Sequence, residues 1–195
     1  MAIKANGILM VEKEILKKSE SFGNNRDALC LGLWNQENKD FTIIVDEKEI
    51  AAHKCVLAAR SPVFAGMKEA EENKVEIKDF PFEIVEAAIK LCYHYSLVPY
   101  ATLNDKMIIL QFFDKYNIQP LKNDLEAELI SEIDESNVCL LTNCSLYSNA
   151  SKLKENCAEF LRDCLESKKP VCDIDILDKD FASNLFKNAF CYVSE

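Results

Sequence analysis

The pattern of apolar and polar positions changes period once along this chain, near residue 80. Ahead of that point the signals are short. Phe41-Thr-Ile-Ile-Val45 is rich in β-branched residues, the polar turn Asp46-Glu47-Lys48 follows, and Glu49-Ile50-Ala51-Ala52 completes the outline of a hairpin. Val75-Glu76-Ile77 alternates apolar and charged side chains and predicts a third short strand. Gly7–Leu16 reads as a further alternating segment. Pro62 follows Ser61, a good N-cap, and Pro81 and Pro120 each precede an apolar-periodic run. All three predict first turns of helices.

Beyond residue 80 the spacing is helical. Phe82, Val85, Ile89 and Cys92 step by three and four, one stripe through Pro81–Tyr95. Asn104 is the expected cap of a helix carrying Met107, Ile108, Leu110, Phe112 and Phe113, a face broad enough to be nearly enclosed. Leu121, Leu125 and Leu129 repeat after Pro120. Ser136 is expected to start a helix through Val138–Tyr147, and Ala150–Leu165 carries Leu153, Cys157, Phe160, Leu161, Cys164 and Leu165. The tail from Val171 to Glu195 reads as one more helix with an ill-defined start. Strands first and antiparallel helices afterwards predict an α+β fold.

The chain has 195 residues, 22.2 kDa, a net charge of −10 and a pI near 4.8. That length fits one domain with a small appendage. A net acidic chain is ill suited to holding phosphate backbones, so no nucleic-acid partner is expected. No apolar run approaches the ~20 residues of a membrane span, so no membrane partner is expected either. Nine cysteines raise the questions of disulfides and zinc. An odd count with no secretory signal argues against a full set of bridges. There is no CxxC, and the nearest pairs are Cys139-x4-Cys144 and Cys157-x6-Cys164, with His53 and His94 far away. Reduced, mostly buried thiols in a soluble intracellular protein, cytoplasmic or nuclear, are the expectation. Two histidines and four glycines supply little for acid/base work or phosphate cradling, so neither catalysis, a cofactor nor a metal is expected.

One stretch carries a family pattern. Asp40 opens the first strand, Ala52-His53-Lys54 follows at a thirteen-residue interval, and Val56-Leu-Ala-Ala-Arg-Ser-Pro-Val-Phe64 comes next. This resembles the BTB/POZ domain closely, with more than a dozen identities at fixed spacing over about residues 25–130. Val75-Glu76-Ile77 and Phe112–Tyr116 fall where that family has its third strand and a later helix. Gly32-Leu33-Trp34 looks like the segment preceding the domain in speckle-type POZ proteins and their MATH–BTB relatives. Residues 131–195 resemble the helical 3-box, or the start of a BACK domain, that follows BTB in cullin-3 adaptors. Residues 1–24 look similar to the last strand of a MATH domain. With about forty residues ahead of the BTB pattern, a MATH domain is expected to be either truncated or lost.

The resemblance implies a non-catalytic homodimeric adaptor that docks the N-terminal region of cullin-3 and links a ubiquitination substrate, not identified by the sequence, to the ligase for proteasomal degradation. Cullin docking in such proteins uses an apolar-x-acidic motif after Ser-Pro-x-Phe, which Met67-Lys68-Glu69 fits, with Tyr116 and Asn117 as a second patch. A methionine adapts to a partner's apolar pocket while the carboxylate fixes register. The resemblance also implies a dimer helix carrying Phe22, Arg26, Leu29, Cys30 and Leu33. Arg26 and Cys30 stand where the relatives carry leucines, each forgoing roughly 1.5–3 kcal/mol of burial at most. Asp40 and Lys54 are expected to tie strand to helix, and His53 to be a satisfied hydrogen-bonding residue. Two other readings stay open: an oligomerisation scaffold that pairs with itself or another BTB protein, and a transcriptional regulator, neither recruiting a ligase.

Overall fold

The structure is a computed structural model that describes residues 28–67 and 73–190. Expectations resting on residues 1–24, Phe22, Arg26 and Glu69 lie outside those residues.

The chain enters through helix α1 (residues 28–34) and then forms the hairpin β1 (Phe41–Val45) and β2 (Lys48–Ala52). Register runs from Phe41 opposite Ala52 to Val45 opposite Lys48, so the turn is only Asp46-Glu47. Lys48 therefore belongs to β2, not to the turn. Both turn residues take positive φ, 48° and 62°, the twist that a two-residue hairpin loop demands. β3 (Lys74–Glu76) lies parallel to β1 on its other side, giving the order β2-β1-β3. It begins one residue earlier than the alternation suggests, because Lys74 pairs with Thr42; Ile77, just past its end, is buried and its N–H donates to the Ile44 carbonyl at 2.9 Å.

Helices α2 (Lys54–Arg60) and α3 (Pro62–Gly66) follow the hairpin, and Ser61 caps α3 by accepting the Phe64 N–H. Then come α4 (Phe82–Tyr93), α5 (Leu103–Lys115), α6 (Gln119–Ser131), α7 (Val138–Tyr147), α8 (Ser151–Ser167) and α9 (Lys179–Phe190). Pro62 and Pro120 occupy first turns as expected, whereas Pro81 is the N-cap of α4. The cap of α5 is not Asn104. Thr102 and Asp105 form a reciprocal capping box, the Thr102 hydroxyl accepting from the Asp105 N–H and the Asp105 carboxylate from the Thr102 N–H. Ser136 does not cap α7 either. It is held in a turn by Asp134, whose carboxylate accepts from the N–H groups of Ser136 and Asn137, and α7 starts after Asn137.

One continuous apolar core runs from Phe41, Ile43 and Val45 through Phe64, Ile89, Phe112 and Phe113 to Leu141, Leu153 and Cys157. The helices after α6 are thus joined to the earlier unit through buried side chains. Polar groups close the seam. Lys122 on α6 is 5% exposed, and its ammonium donates to Asp114 at 2.7 Å and to the Asn149 carbonyl at 3.1 Å. Glu126, one turn on and 4% exposed, accepts from the Leu153 N–H at 2.9 Å and so caps the first turn of α8.

Candidate protein-interaction surface

The helices and the small sheet leave two apolar faces open. The first is α1. Leu29 is 72% exposed, while Cys30 and Leu33 are half-buried against a groove of about 380 Å³ between α1, α2 and α4. Trp34 anchors the end of α1, its ring edge-to-face with Tyr93 at 5.0 Å and the Lys39 ammonium 3.9 Å from its centre. Of the expected dimer residues within the described chain, Cys30 and Leu33 line that groove and Leu29 is open to solvent.

The second open face surrounds α3. Val63 is exposed, and Met67 is half-buried at the C-cap of α3, its N–H donating to the Phe64 carbonyl. Phe64 stacks flat on Tyr116, with ring centres 4.9 Å apart, and the Ser61 hydroxyl donates to the Tyr116 carbonyl. The ends of α3 and α5 are thereby brought together around Phe64. Tyr116 itself is 6% exposed, so it contributes by fixing Phe64 and offers little contact area of its own. Burial, with Asp79 nearby, pushes its phenol up to about 12. Asn117 is exposed and takes φ 50°, which ends α5 as the Ile118 N–H closes on the Phe113 carbonyl.

Asp40 and Lys54 tie strand to helix, through the backbone. The Asp40 carboxylate accepts the Lys54 N–H at 2.8 Å, while the Lys54 ammonium goes to Asn73. His53 is buried, its N–H donating to the Tyr93 hydroxyl at 2.6 Å. That hydroxyl lies 3.0 Å from Nδ1, and Nε2 lies 3.4 Å from the Asn38 side-chain oxygen. One tautomer satisfies the whole set: Tyr93 O–H donates to Nδ1 and Nε2–H donates to Asn38. Such a ring has a structural task.

The thiols divide by burial. Desolvation pushes Cys92 and Cys157 up to about 12 and Cys144 up to about 11, which keeps them protonated and inert. Among the described residues no grouping of His, Cys, Asp and Glu could hold a metal ion, and all eight described cysteines are free. A cleft of about 550 Å³ between α4, α5 and α6 is lined mainly by apolar residues, among them Leu91, Tyr95, Tyr100, Ile109 and Leu125. Its Lys106 is bound by Glu128 at 2.6 Å and Glu132 at 2.5 Å. Among the described residues no helix is long and apolar enough to cross a membrane.

A small sheet capped by helices, with apolar side chains presented outward on two faces, defines a protein-interaction module. The BTB/POZ domain family model matches residues 32–133, more than half of the sequence, and the chain belongs to that family. BTB domains are generally non-catalytic modules that self-associate and bind other proteins. The chain is 34% identical over 128 residues to the BTB/POZ domain-containing protein At1g55760 of Arabidopsis thaliana, a match covering 63% of this chain and 38% of that protein. It is 34% identical over 133 residues to Protein maternal effect lethal 26 of Caenorhabditis elegans, covering 63% and 32%. Against BTB/POZ domain-containing protein 9 of Drosophila melanogaster it is 25% identical over 154 residues, covering 76% and 21%. The chain thus spans less than two fifths of the length of these curated relatives. Among solved structures, the BTB domain of zebrafish PATZ1 matches with a TM-score of 0.48 at 17% identity, covering 57% of this chain and 95% of that one. The BTB domain of human Gigaxonin matches with a TM-score of 0.42 at 18% identity, covering 49% and 80%.

Neither Val63 nor Cys55 on the open faces is among the residues expected from sequence. Val63 sits between Pro62 and Phe64, where an apolar residue in a short helix reads as core. Cys55 meets α1 only through the folding of the hairpin between them.

Proposed function

We propose that this chain is a homodimeric, non-catalytic adaptor of the MATH–BTB or speckle-type POZ-like group. Its BTB unit, residues 25–130, binds the N-terminal region of cullin-3, and the helical 3-box or BACK-like extension, residues 131–195, supports that contact. It thereby links a substrate to a cullin-RING ubiquitin ligase for degradation. The observation that carries this reading is Met67: half-buried at the end of α3, beside the Phe64–Tyr116 stack and two residues before Glu69. An adaptable apolar side chain presented on a fixed base suits a partner's apolar pocket, and the carboxylate two residues on supplies register. The buried seam at Lys122 and Glu126 supports the same reading, since it lets the extension and the BTB unit meet a partner as one body.

The test is calorimetric titration of the chain with the cullin-3 N-terminal region, beside a Met67→Asp/Glu69→Lys variant. Micromolar or tighter binding by the wild type, lost in the variant, is expected. Absence of heat with the wild type would sink the adaptor reading. It would leave the oligomerisation scaffold, which the exposed Leu29 on α1 favours independently.

A further inference from the structure

Of the eight cysteines described, Cys92, Cys139, Cys144, Cys157 and Cys164 are buried. Cys30, Cys55 and Cys172 are the ones open to solvent in whole or part. Two of those three meet in one place. Cys30, on α1, and Cys55, on the first turn of α2, both line the groove beside the exposed Leu29, although twenty-five residues and the whole hairpin separate them in sequence. The charged member of the lining is Arg60, whose Nε–H donates to the Cys92 carbonyl at 3.1 Å, which fixes the guanidinium at the groove. Thiol–disulfide exchange needs access to the sulfur, which among the described cysteines this groove gives to two thiols at once.

We propose that Cys30 and Cys55 form a thiol-modification site that controls self-association through α1. This rests on the reading of α1 as the self-association face. The modifier is a small anionic disulfide, of which glutathione disulfide is the probe. A cysteine thiolate attacks one sulfur of that disulfide. The protein–glutathione S–S bond forms, the original S–S bond breaks, and the leaving glutathione thiolate takes up the proton the cysteine released. Excess reduced glutathione reverses the step. The cap fills the groove and places a bulky charged group beside Leu29, where a partner's apolar side chain would otherwise seat. Linkage makes the effect reciprocal: the paired form shields both thiols, so capping slows as the dimer fraction rises.

The experiment treats the native full chain with glutathione disulfide, maps the caps by peptide mass, and follows molar mass by light scattering. The same is done for Cys30→Ser/Cys55→Ser and Cys172→Ser variants. The expected result has caps at Cys30 or Cys55, conversion of dimer to monomer, and return of the dimer when reduced glutathione is added. Serine at both groove positions should make the dimer resistant to treatment, and Cys172→Ser should not. A dimer that persists with both groove thiols capped overturns the proposal while leaving the self-association reading intact. So does failure of Cys30 and Cys55 to be capped while Cys172 is. A monomer at all concentrations before any treatment overturns the self-association reading and the proposal with it. Should the double serine variant fail to fold, loss and recovery of the wild-type dimer through one redox cycle decides the same point.

Discussion

The seam between α6 and α8 and the open face of α1 depart from ordinary side-chain placement in opposite senses. At the seam, charge is inside: Lys122 and Glu126 are buried, yet each finds partners in Asp114, the Asn149 carbonyl and the Leu153 N–H. At α1, apolar surface is outside: Leu29 is exposed, next in the chain to Cys30, which shares its groove with Cys55. A buried charge is tolerable only where its hydrogen bonds are complete, so the seam is closed and specific to this chain's own backbone. The exposed leucine, on a helix anchored by Trp34, is what the proposed self-association would cover. The contrast separates what holds the protein together from what the proposed pairing would use.

Breaking the seam should produce the largest effect on folding stability. Lys122→Ala leaves the part-buried Asp114 with only the Asn149 amide and the Asn149 carbonyl without its ammonium donor, and should cost roughly 1–3 kcal/mol of unfolding free energy. A urea titration would register this as a lower midpoint at similar slope. The double change Lys122→Met/Asp114→Asn should recover much of the loss, because no unpaired charge is then buried. Equal destabilisation by the single and double variants would mean that packing, not charge pairing, closes the seam. Self-association should be unaffected wherever the variant stays folded.

Leu29→Asp is the converse experiment. It removes roughly 1.5–3 kcal/mol of burial per subunit from any interface formed there, and adds a charge to desolvate. Light scattering should report a monomer at concentrations where the wild type pairs. The urea midpoint extrapolated to low protein concentration should hardly move, since the side chain touches little within its own subunit. A fold-destabilising Leu29→Asp with pairing retained would reverse the assignment of the two regions.

How far the sequence disclosed these regions follows from the range of the interactions involved. The hairpin and the helices from α4 to α8 were legible because each is written in a local period, and Cys157 and Cys164 are buried on one face as their seven-residue spacing requires. Leu29 and Leu33 were legible as a face for the same reason. Lys122 and Glu126 were not. On α6 they look like solvated positions between Leu121, Leu125 and Leu129, and only the docking of α8 takes them out of water. Cys30 and Cys55 belong to different elements, so no window contains their shared groove. The cap of α5 is a different kind of miss. The sequence Thr102-Leu-Asn-Asp105 carries the spacing of a capping box, a local signal that outranks Asn104.

That box supplies a smaller test within the helical layer. Thr102→Ala removes the acceptor of the Asp105 N–H and should cost about 1 kcal/mol. Asn104→Ala, at the position first expected to cap, should be neutral or stabilise by a few tenths of a kcal/mol, as Asn104 lies inside the helix, where alanine is the better former. Urea midpoints for the pair decide which residue ends the helix. Both should leave the α1 face and its pairing intact.

An effect no larger than that of Thr102→Ala, and of opposite sign, is expected at the hairpin turn, which belongs to neither region and so serves as their control. Asp46 and Glu47 hold φ of 48° and 62°, the left-handed region, where a side chain with Cβ costs on the order of 1–2 kcal/mol per residue. Aspartate tolerates that conformation through local hydrogen bonding better than glutamate does, so the strain sits chiefly at Glu47. Glu47→Gly relieves it and creates the Asp-Gly pair that two-residue hairpin loops favour. Against this stands about 0.4–1 kcal/mol of extra chain entropy that glycine gives the unfolded state. The balance should be a stabilisation of a few tenths to about 1 kcal/mol. It would be read as a higher urea midpoint, with molar mass unchanged. Glu47→Val, β-branched in the same left-handed position, should shift the midpoint the other way. If glycine instead lowers it, the turn is held by side-chain contacts of Glu47 and not merely by the twist of the two strands.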